Sequence, residues 1–312
     1  MKTKLTALAL SVFLCLSSTI GQTEIDVKTK NKMHKEFTKN FSNYIYIPSG
    51  TIAESEYSEK KVALKKFRIY NAEITNDEWK YFITGISKDI SKDSVLKLLP
   101  DTTLWTTYFP SYGSTKDYYY SHPAYAKYPV TNVSREQIDV FCKWVTQEIN
   151  KSEKCPYKEV KVRLPKEHEW MYAAGGMLTN AVFPWGSTDV YDTEGKMKAN
   201  FLPINQYNIK RDSLTGKLSF TEYPKRMIGD REHYKELVNM TVHVLEFKPN
   251  DYGLYNMAGN VAEFVEEEGI TKGGSFDDPA YYLNIYKRQY YQAGKSAHPT
   301  RGFRILLEII EY

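Results

Sequence analysis

Long apolar runs are nearly absent from this chain of 312 residues. The single one, Leu5–Leu16, is too short to span a bilayer. With Lys2 and Lys4 ahead of it, it reads as the core of a signal peptide over residues 1–21, with Gly21 as the cleavage point and Gln22 as the first mature residue. Cys15 would suit a lipid anchor, but Leu14 precedes it where a small residue is required. The expectation is an exported protein, periplasmic, outer-membrane-associated or secreted, and not a transmembrane one. Cysteine is scarce too. Beyond Cys15 only Cys142 and Cys155 are left, so at most one bridge can form, and a buried free thiol at Cys142 is favoured over it. An excess of one charge is also missing: 42 basic residues face 38 acidic ones, interspersed, which argues against a nucleic-acid surface. There is no internal repeat and no low-complexity block.

What is abundant is tyrosine, 26 residues of it. A tyrosine buries a ring while its hydroxyl stays wet, which suits loop-rich cores. Tyr118–Tyr120, Tyr281-Tyr282 and Tyr290-Tyr291 follow no helical stripe. Packing under loops is the favoured reading, and a partner or glycan surface the sharper one.

The polar segment 22–42 reads as a mobile lead-in. Asn43–Pro48 alternates as a first strand, and Val62–Tyr70 should pair with it. Thr75-Asn76-Asp77-Glu78 is a capping box opening a short helix with Trp79, Phe82 and Ile83 on one side. Ser134-Arg135-Glu136-Gln137 opens a second helix through Ile149, with Ile138, Phe141, Cys142 and Val145 on its buried face. Lys166–Ala174 is a third helix. From Phe183 to Tyr252 the chain is mostly turn-forming, with alternation only in Val238–Phe247, while Asn284–Tyr291 and Gly302–Ile310 read as closing strands. Few helices, short strands and long connections make an α+β domain over 43–312.

Ordered motifs then carry a resemblance. They are Glu73–Trp79, Tyr128–Ser134, Arg163-Leu164-Pro165 with Glu169-Trp170, Phe183–Gly186, Ala199–Phe201, Asn250–Glu263, Gly273-Gly274-Ser275 and Gly302-Phe303-Arg304. Together they are similar to the formylglycine-generating enzyme (sulfatase-modifying factor) family, whose irregular fold is classed with C-type lectins. Leu99–Trp105 and His122–Tyr125 resemble, more narrowly, the gliding-motility lipoproteins of the type IX secretion system, which carry this fold without catalytic cysteines.

The resemblance implies copper chemistry in active members, held by a cysteine pair after the Gly-Gly-Ser segment. Thiolates are soft ligands suited to Cu(I). Residues 276–301 contain no Cys and no Met, so no copper is expected and no catalytic residue is assigned. His298 is alone there and reads as a satisfied surface residue. The resemblance also implies a structural calcium, with Asn256 and Glu263 giving side-chain oxygens and Gly259 and Val261 giving carbonyls. A metal-free turn fixed by hydrogen bonds is the competing reading. Arg163, Arg301 and Arg304 are expected in structural ion pairs with Glu169 or Glu263 rather than on a substrate. Gly273-Gly274 should take positive φ or allow close approach, not cradle a phosphate.

The resulting expectation is a non-catalytic protein acting through protein contacts in the cell envelope, with a type IX secretion or gliding apparatus. It is a possible oligomer and has no nucleic-acid partner. The alternatives are an exported enzyme of cysteine-independent chemistry and a glycan-binding module.

Overall fold

A computed structural model describes residues 25–110, 114–178, 181–203, 209–211, 218–220 and 240–312. Residues 1–24, where the signal peptide, Cys15, the Gly21 cleavage point and the mature start at Gln22 are expected, lie outside them. The central sheet has the order β1-β4-β12-β5, with β1 Tyr44–Ile47, β4 Phe67–Tyr70, β5 Glu159–Arg163 and β12 Leu306–Glu311, all antiparallel. Successive side chains on a strand point to opposite faces. Leu307, Val160 and Val162 therefore enter one core, while Leu306, Ile69 and Phe67 enter the other.

The first core is closed by two helices, α2 (Asn76–Ile86) and α6 (Arg135–Lys151). Both start at the expected capping boxes, Thr75 with Glu78 and Ser134 with Gln137. Each box satisfies two orphan helix N–H groups reciprocally. Trp79 stacks on Phe141 with ring centroids 5.3 Å apart, and Phe303 meets both rings edge-on. The second core is closed by α7 (Glu167–Ala174), whose Trp170 and Met171 pack against Leu254, Met257 and Leu306.

Smaller elements complete the fold. A hairpin joins β2 (Gly50–Ala53) to β3 (Lys61–Leu64), and a second joins β6 (Ile209–Arg211) to β7 (Leu218–Phe220). Short helices α3 (Lys92–Leu96), α4 (Leu104–Tyr108) and α5 (Thr115–Tyr118) lead to a 3-10 turn at Pro123–Tyr125. The second sheet has the order β10-β9-β8-β11, made of β8 Ala262–Phe264, β9 Ile270–Lys272, β10 Gln289–Tyr290 and β11 Arg301–Gly302. The α+β class is as expected.

Four expectations need correction. The lead-in is a helix, α1 (Val27–Asn40), capped by the Asp26 carboxylate. Its stripe is narrow but effective: Phe37 is fully buried, stacks on Phe41 and Tyr157, and lies under the Arg68 guanidinium at 4.9 Å. Val62–Tyr70 is two strands, broken at exposed Lys65-Lys66, and only β4 pairs with β1. Of Asn284–Tyr291 only Gln289-Tyr290 is strand, and Gly302–Ile310 is divided between β11 and β12. In Val238–Phe247, residues 240–247 form no strand, and the first two lie outside the described residues. Among the described residues Cys142 and Cys155 are free thiols, Cys142 buried as expected.

Candidate functional site

The loop from Asn250 to Glu263 is built by asparagine and glycine. The Asn250 amide donates to the carbonyls of Ala173 and Ala174 at the end of α7, at 2.8 and 3.1 Å, and its oxygen accepts from the N–H groups of Tyr252 and Leu254. Asn256, Gly259 and Asn260 all take positive φ, at 47°, 75° and 63°. At Gly259 a side chain is impossible: a Cβ would lie 2.3 Å from the Asn200 carbonyl oxygen. This close approach lets the Asn260 N–H reach the Asn200 carbonyl and the Gly259 N–H reach the Gly273 carbonyl. Gly273 and Gly274 also take positive φ, as expected.

The loop ends in a buried ionic network. Glu263 on β8 and Arg304 are both sequestered, and the guanidinium donates from Nε to Oε2 at 2.7 Å and from Nη2 to Oε1 at 2.6 Å. Trp170 Nε1 donates to the same Oε2 at 2.7 Å. Glu73, also buried, accepts from the amides of Asn260 at 2.9 Å and Asn256 at 3.2 Å. Burial pushes the Glu73 carboxyl up to about 8, with Arg304 opposing the shift and Glu263 adding to it. Two carboxyls facing one guanidinium come into charge balance when Glu73 holds a proton.

The four expected calcium ligands fall into this setting. Glu263, the only charged one, has both oxygens on Arg304 and Trp170. Asn256 Oδ1 is buried and has no hydrogen-bond partner, so it is the one side-chain oxygen of the set left for a cation. Calcium takes six to eight oxygens, and as placed these residues fit it poorly. Among the described residues, no group of three or more His, Cys, Asp or Glu could hold a metal ion.

The other expected ion pair is present as well. Arg163 donates to both oxygens of Glu169, at 2.7 and 2.9 Å. Arg301 instead donates to the carbonyls of Lys295 and Ser296. His298 is half-buried against Tyr108 and bonded to Thr300, so it is less a surface residue than expected; burial pushes its pKa down to about 4. One network escaped the sequence. Lys272 on β9 is fully buried with its ammonium 3.2 Å from Glu167, which Arg288 grips with two bonds of 2.6 Å. Burial pushes Lys272 down to about 8. The flanking Ile270-Thr271 and Gly273 give no hint of a sequestered ammonium.

After Gly273-Gly274 the chain turns on a side-chain bond. The Asp278 carboxylate accepts from both the N–H and the hydroxyl of buried Ser275, and Asp278 accepts the Leu202 N–H on its own carbonyl. A 3-10 turn at Ala280–Leu283 follows. The two thiols are elsewhere. Cys142 sits in the first core, where burial pushes it up to about 12, and Cys155 is raised for the same reason. A thiol held protonated is a poor metal ligand and nucleophile. A cavity of about 400 Å³ lies among Lys97, Asp101, Asn132 and Glu136 and shares no lining residue with the loop.

An irregular α+β domain knotted around such a glycine- and asparagine-turned loop defines a class, the formylglycine-generating-enzyme-like folds. Residues 29–309 match the sulfatase-modifying factor enzyme 1-like domain, and the chain belongs to that family. It is 28% identical over 146 residues to the formylglycine-generating enzyme of Mus musculus, covering 46% of this chain and 28% of the mouse protein. It is 28% identical over 164 residues to the inactive C-alpha-formylglycine-generating enzyme 2 of Bos taurus, covering 49% and 40%. The chain thus spans well under half the length of these relatives. Among solved structures, Treponema denticola variable protein 1 has a TM-score of 0.52 at 18% identity, over 84% of this chain and 94% of that one. PvdO from Pseudomonas aeruginosa has the same TM-score at 15% identity, over 84% and 93%. At these identities the likeness is one of fold.

Proposed function

We propose that this is a non-catalytic member of the sulfatase-modifying family, exported to the cell envelope, where it acts through protein contacts beside a type IX secretion or gliding apparatus. One observation carries the reading. The turn after Gly273-Gly274-Ser275 is built from Asp278, Pro279 and tyrosines, and the two thiols of the described chain are held protonated elsewhere. The likeness to relatives named inactive supports it. Among the described residues no helix is long and apolar enough to cross a membrane. Cross-linking in intact cells followed by affinity capture tests the reading. Recovery of secretion or gliding components supports it, and their absence from the captured set removes the apparatus.

A glycan-binding role is the second reading, favoured by one patch. Tyr57 and Tyr281, 89% and 60% exposed, flank the Lys287 ammonium, which Glu56 holds at 2.6 Å. Binding on a glycan array that Tyr281→Ala abolishes would establish it. Calcium is a separate proposal, supported by the unpartnered Asn256 oxygen. A melting temperature raised by calcium in the native protein and not in Asn256→Ala supports it. Identical melts in calcium and in chelator dismiss it.

A further inference from the structure

The cavity of about 400 Å³ opens beside the first turn of α6, and no residue of the Asn250–Glu263 loop lines it. Asn132 does line it, and is only 2% exposed. The backbone of Asn132 is fully engaged. Its N–H donates to the His298 carbonyl at 3.3 Å, and its carbonyl accepts from the Asp101 N–H at 3.0 Å. What it offers the cavity is therefore its side chain, and the Oδ1 acceptor there is buried without a partner. Buried polar groups are nearly always hydrogen-bonded, so an unsatisfied acceptor calls for a donor. Two exposed acids share the lining. Asp101 spends Oδ1 on the N–H and hydroxyl of Thr103, at 3.1 and 2.6 Å. Glu136 accepts from the Ser134 hydroxyl at 2.6 Å, and that bond holds its carboxyl below the usual carboxylate range. Against these two negative charges the lining has one positive charge, Lys97. Leu98, Val140 and Ala297 supply an apolar wall.

We infer that this cavity takes a primary ammonium group on a short aliphatic stem. An ammonium has three N–H donors and no acceptor. One donor satisfies Asn132 Oδ1, Asp101 and Glu136 supply the countercharge, and the stem lies along Leu98 and Val140. The same groups disfavour an anion. The N–H groups that open α6 and would attract one are already spent: Arg135 donates to the Ser296 hydroxyl at 3.0 Å, and Gln137 to the Ser134 hydroxyl at 3.3 Å. Glu136 also places a negative charge in that first turn. A metal ion is poorly served as well. Calcium takes six to eight oxygens, and the Gln137 amide is committed, its oxygen to the Ser134 N–H and its nitrogen to the Lys97 and Leu99 carbonyls. The volume is at the small end of the range for ligand pockets, about 300–1,000 Å³. It admits a free amine or a single lysine side chain of a partner protein.

Ligand-observed NMR titration of the purified protein tests this with n-pentylamine, an ammonium at neutral pH. Pentan-1-ol and pentanoate are the neutral and anionic probes of the same length. Pentylammonium should bind about tenfold more tightly than either. Asn132→Gly removes the acceptor without straining the chain, because Asn132 sits at φ 60° and glycine takes that conformation freely. It should lose roughly tenfold in affinity, the scale of a hydrogen bond to a charged group. Asp101→Asn/Glu136→Gln removes both charges while keeping an oxygen for Thr103 and another for Ser134, and should lose about fivefold. Glu59→Gln/Glu148→Gln removes the same charge from exposed positions elsewhere and should stay within about twofold. An end-capped Gly-Lys-Gly peptide that binds as well as the amine identifies the source as a partner's lysine, and its exclusion identifies a free amine. Absence of pentylammonium binding overturns the inference, as does equally tight binding of pentanol or pentanoate. Full affinity in Asn132→Gly, or equal loss in the two acid variants, overturns it too.

Discussion

The Glu263–Arg304 pair shows how a single residue governs the loop. Both groups are out of water, so each is tolerable only with its partner in place. Removing one member of such a pair typically costs about 3–5 kcal/mol, because the other is left buried and uncompensated. Glu263→Ala should fall in that range by denaturant unfolding, and Arg304→Met should match it. The double variant Glu263→Met/Arg304→Met should lose clearly less than the sum of the two, since no charge is then stranded. Glu73 gives a second prediction, with a sign. Its folded carboxyl is raised to about 8 from the ordinary glutamate value of 4.5. Below the lower value both states hold the proton and nothing changes. Between the two the unfolded chain ionises and the folded one does not, so stability falls as pH rises, by about 1.4 kcal/mol per unit at most. The stability difference between the native protein and Glu73→Gln, measured from pH 5 to 8, should change in that direction. It isolates Glu73 from His298, whose depressed value works the opposite way between about 4 and 6.5. A pH-independent difference would mean that Glu73 is ionised throughout.

Among the elements, α1 is the one that local reasoning misses. Its lysines lower the average hydropathy until the segment reads as solvent-exposed chain, yet Phe37 anchors it between Phe41, Tyr44 and Tyr157. Phe37→Ala should cost about 3–5 kcal/mol, as for other large aromatics removed from cores. It should also make the α1 lysines the first sites of tryptic cleavage. If the variant melts like the native protein, α1 is an appendage and not part of the core. Helices α2 and α6 were legible because their signals are local: a hydroxyl at N-cap, a carboxyl or amide three residues on, then a spaced apolar face. The sheet was less legible. β12 sits between β4 and β5, strands that lie far upstream, and no local pattern reports such pairing. β9 was hidden for another reason: Ile270, Thr271 and Lys272 are all buried, so no alternation exists to read. The site divides in the same way. The arginine–glutamate pairs and the positive-φ glycines follow from residue type within motifs. The hold of Arg304 and Trp170 on Glu263 depends on three distant segments meeting.

At the level of the whole molecule, membership in the sulfatase-modifying family and the placement of the thiols pull in different directions. Family membership sets a prior for formylglycine synthesis, which needs thiolates able to hold Cu(I). The fold places Cys142 in the first core among Trp79, Phe82 and Phe141, and leaves Cys155 beside the Tyr157 carbonyl. A substrate peptide would have to reach a thiol that burial keeps protonated to about pH 12. The expected outcome is that purified protein, loaded with copper and given a cysteine-containing sulfatase peptide, yields no formylglycine by mass spectrometry. Alkylation adds the structural control. At pH 8, in the folded protein, Cys142 should resist iodoacetamide and Cys155 should react slowly, and both should react fully once the protein is unfolded. Formylglycine that disappears in Cys142→Ser or Cys155→Ser would show that the core opens to expose a working thiol. Formylglycine that survives both substitutions would place the chemistry on other residues of the domain. Either result sinks the non-catalytic proposal, whereas a silent peptide and a protected Cys142 are the outcomes that it requires.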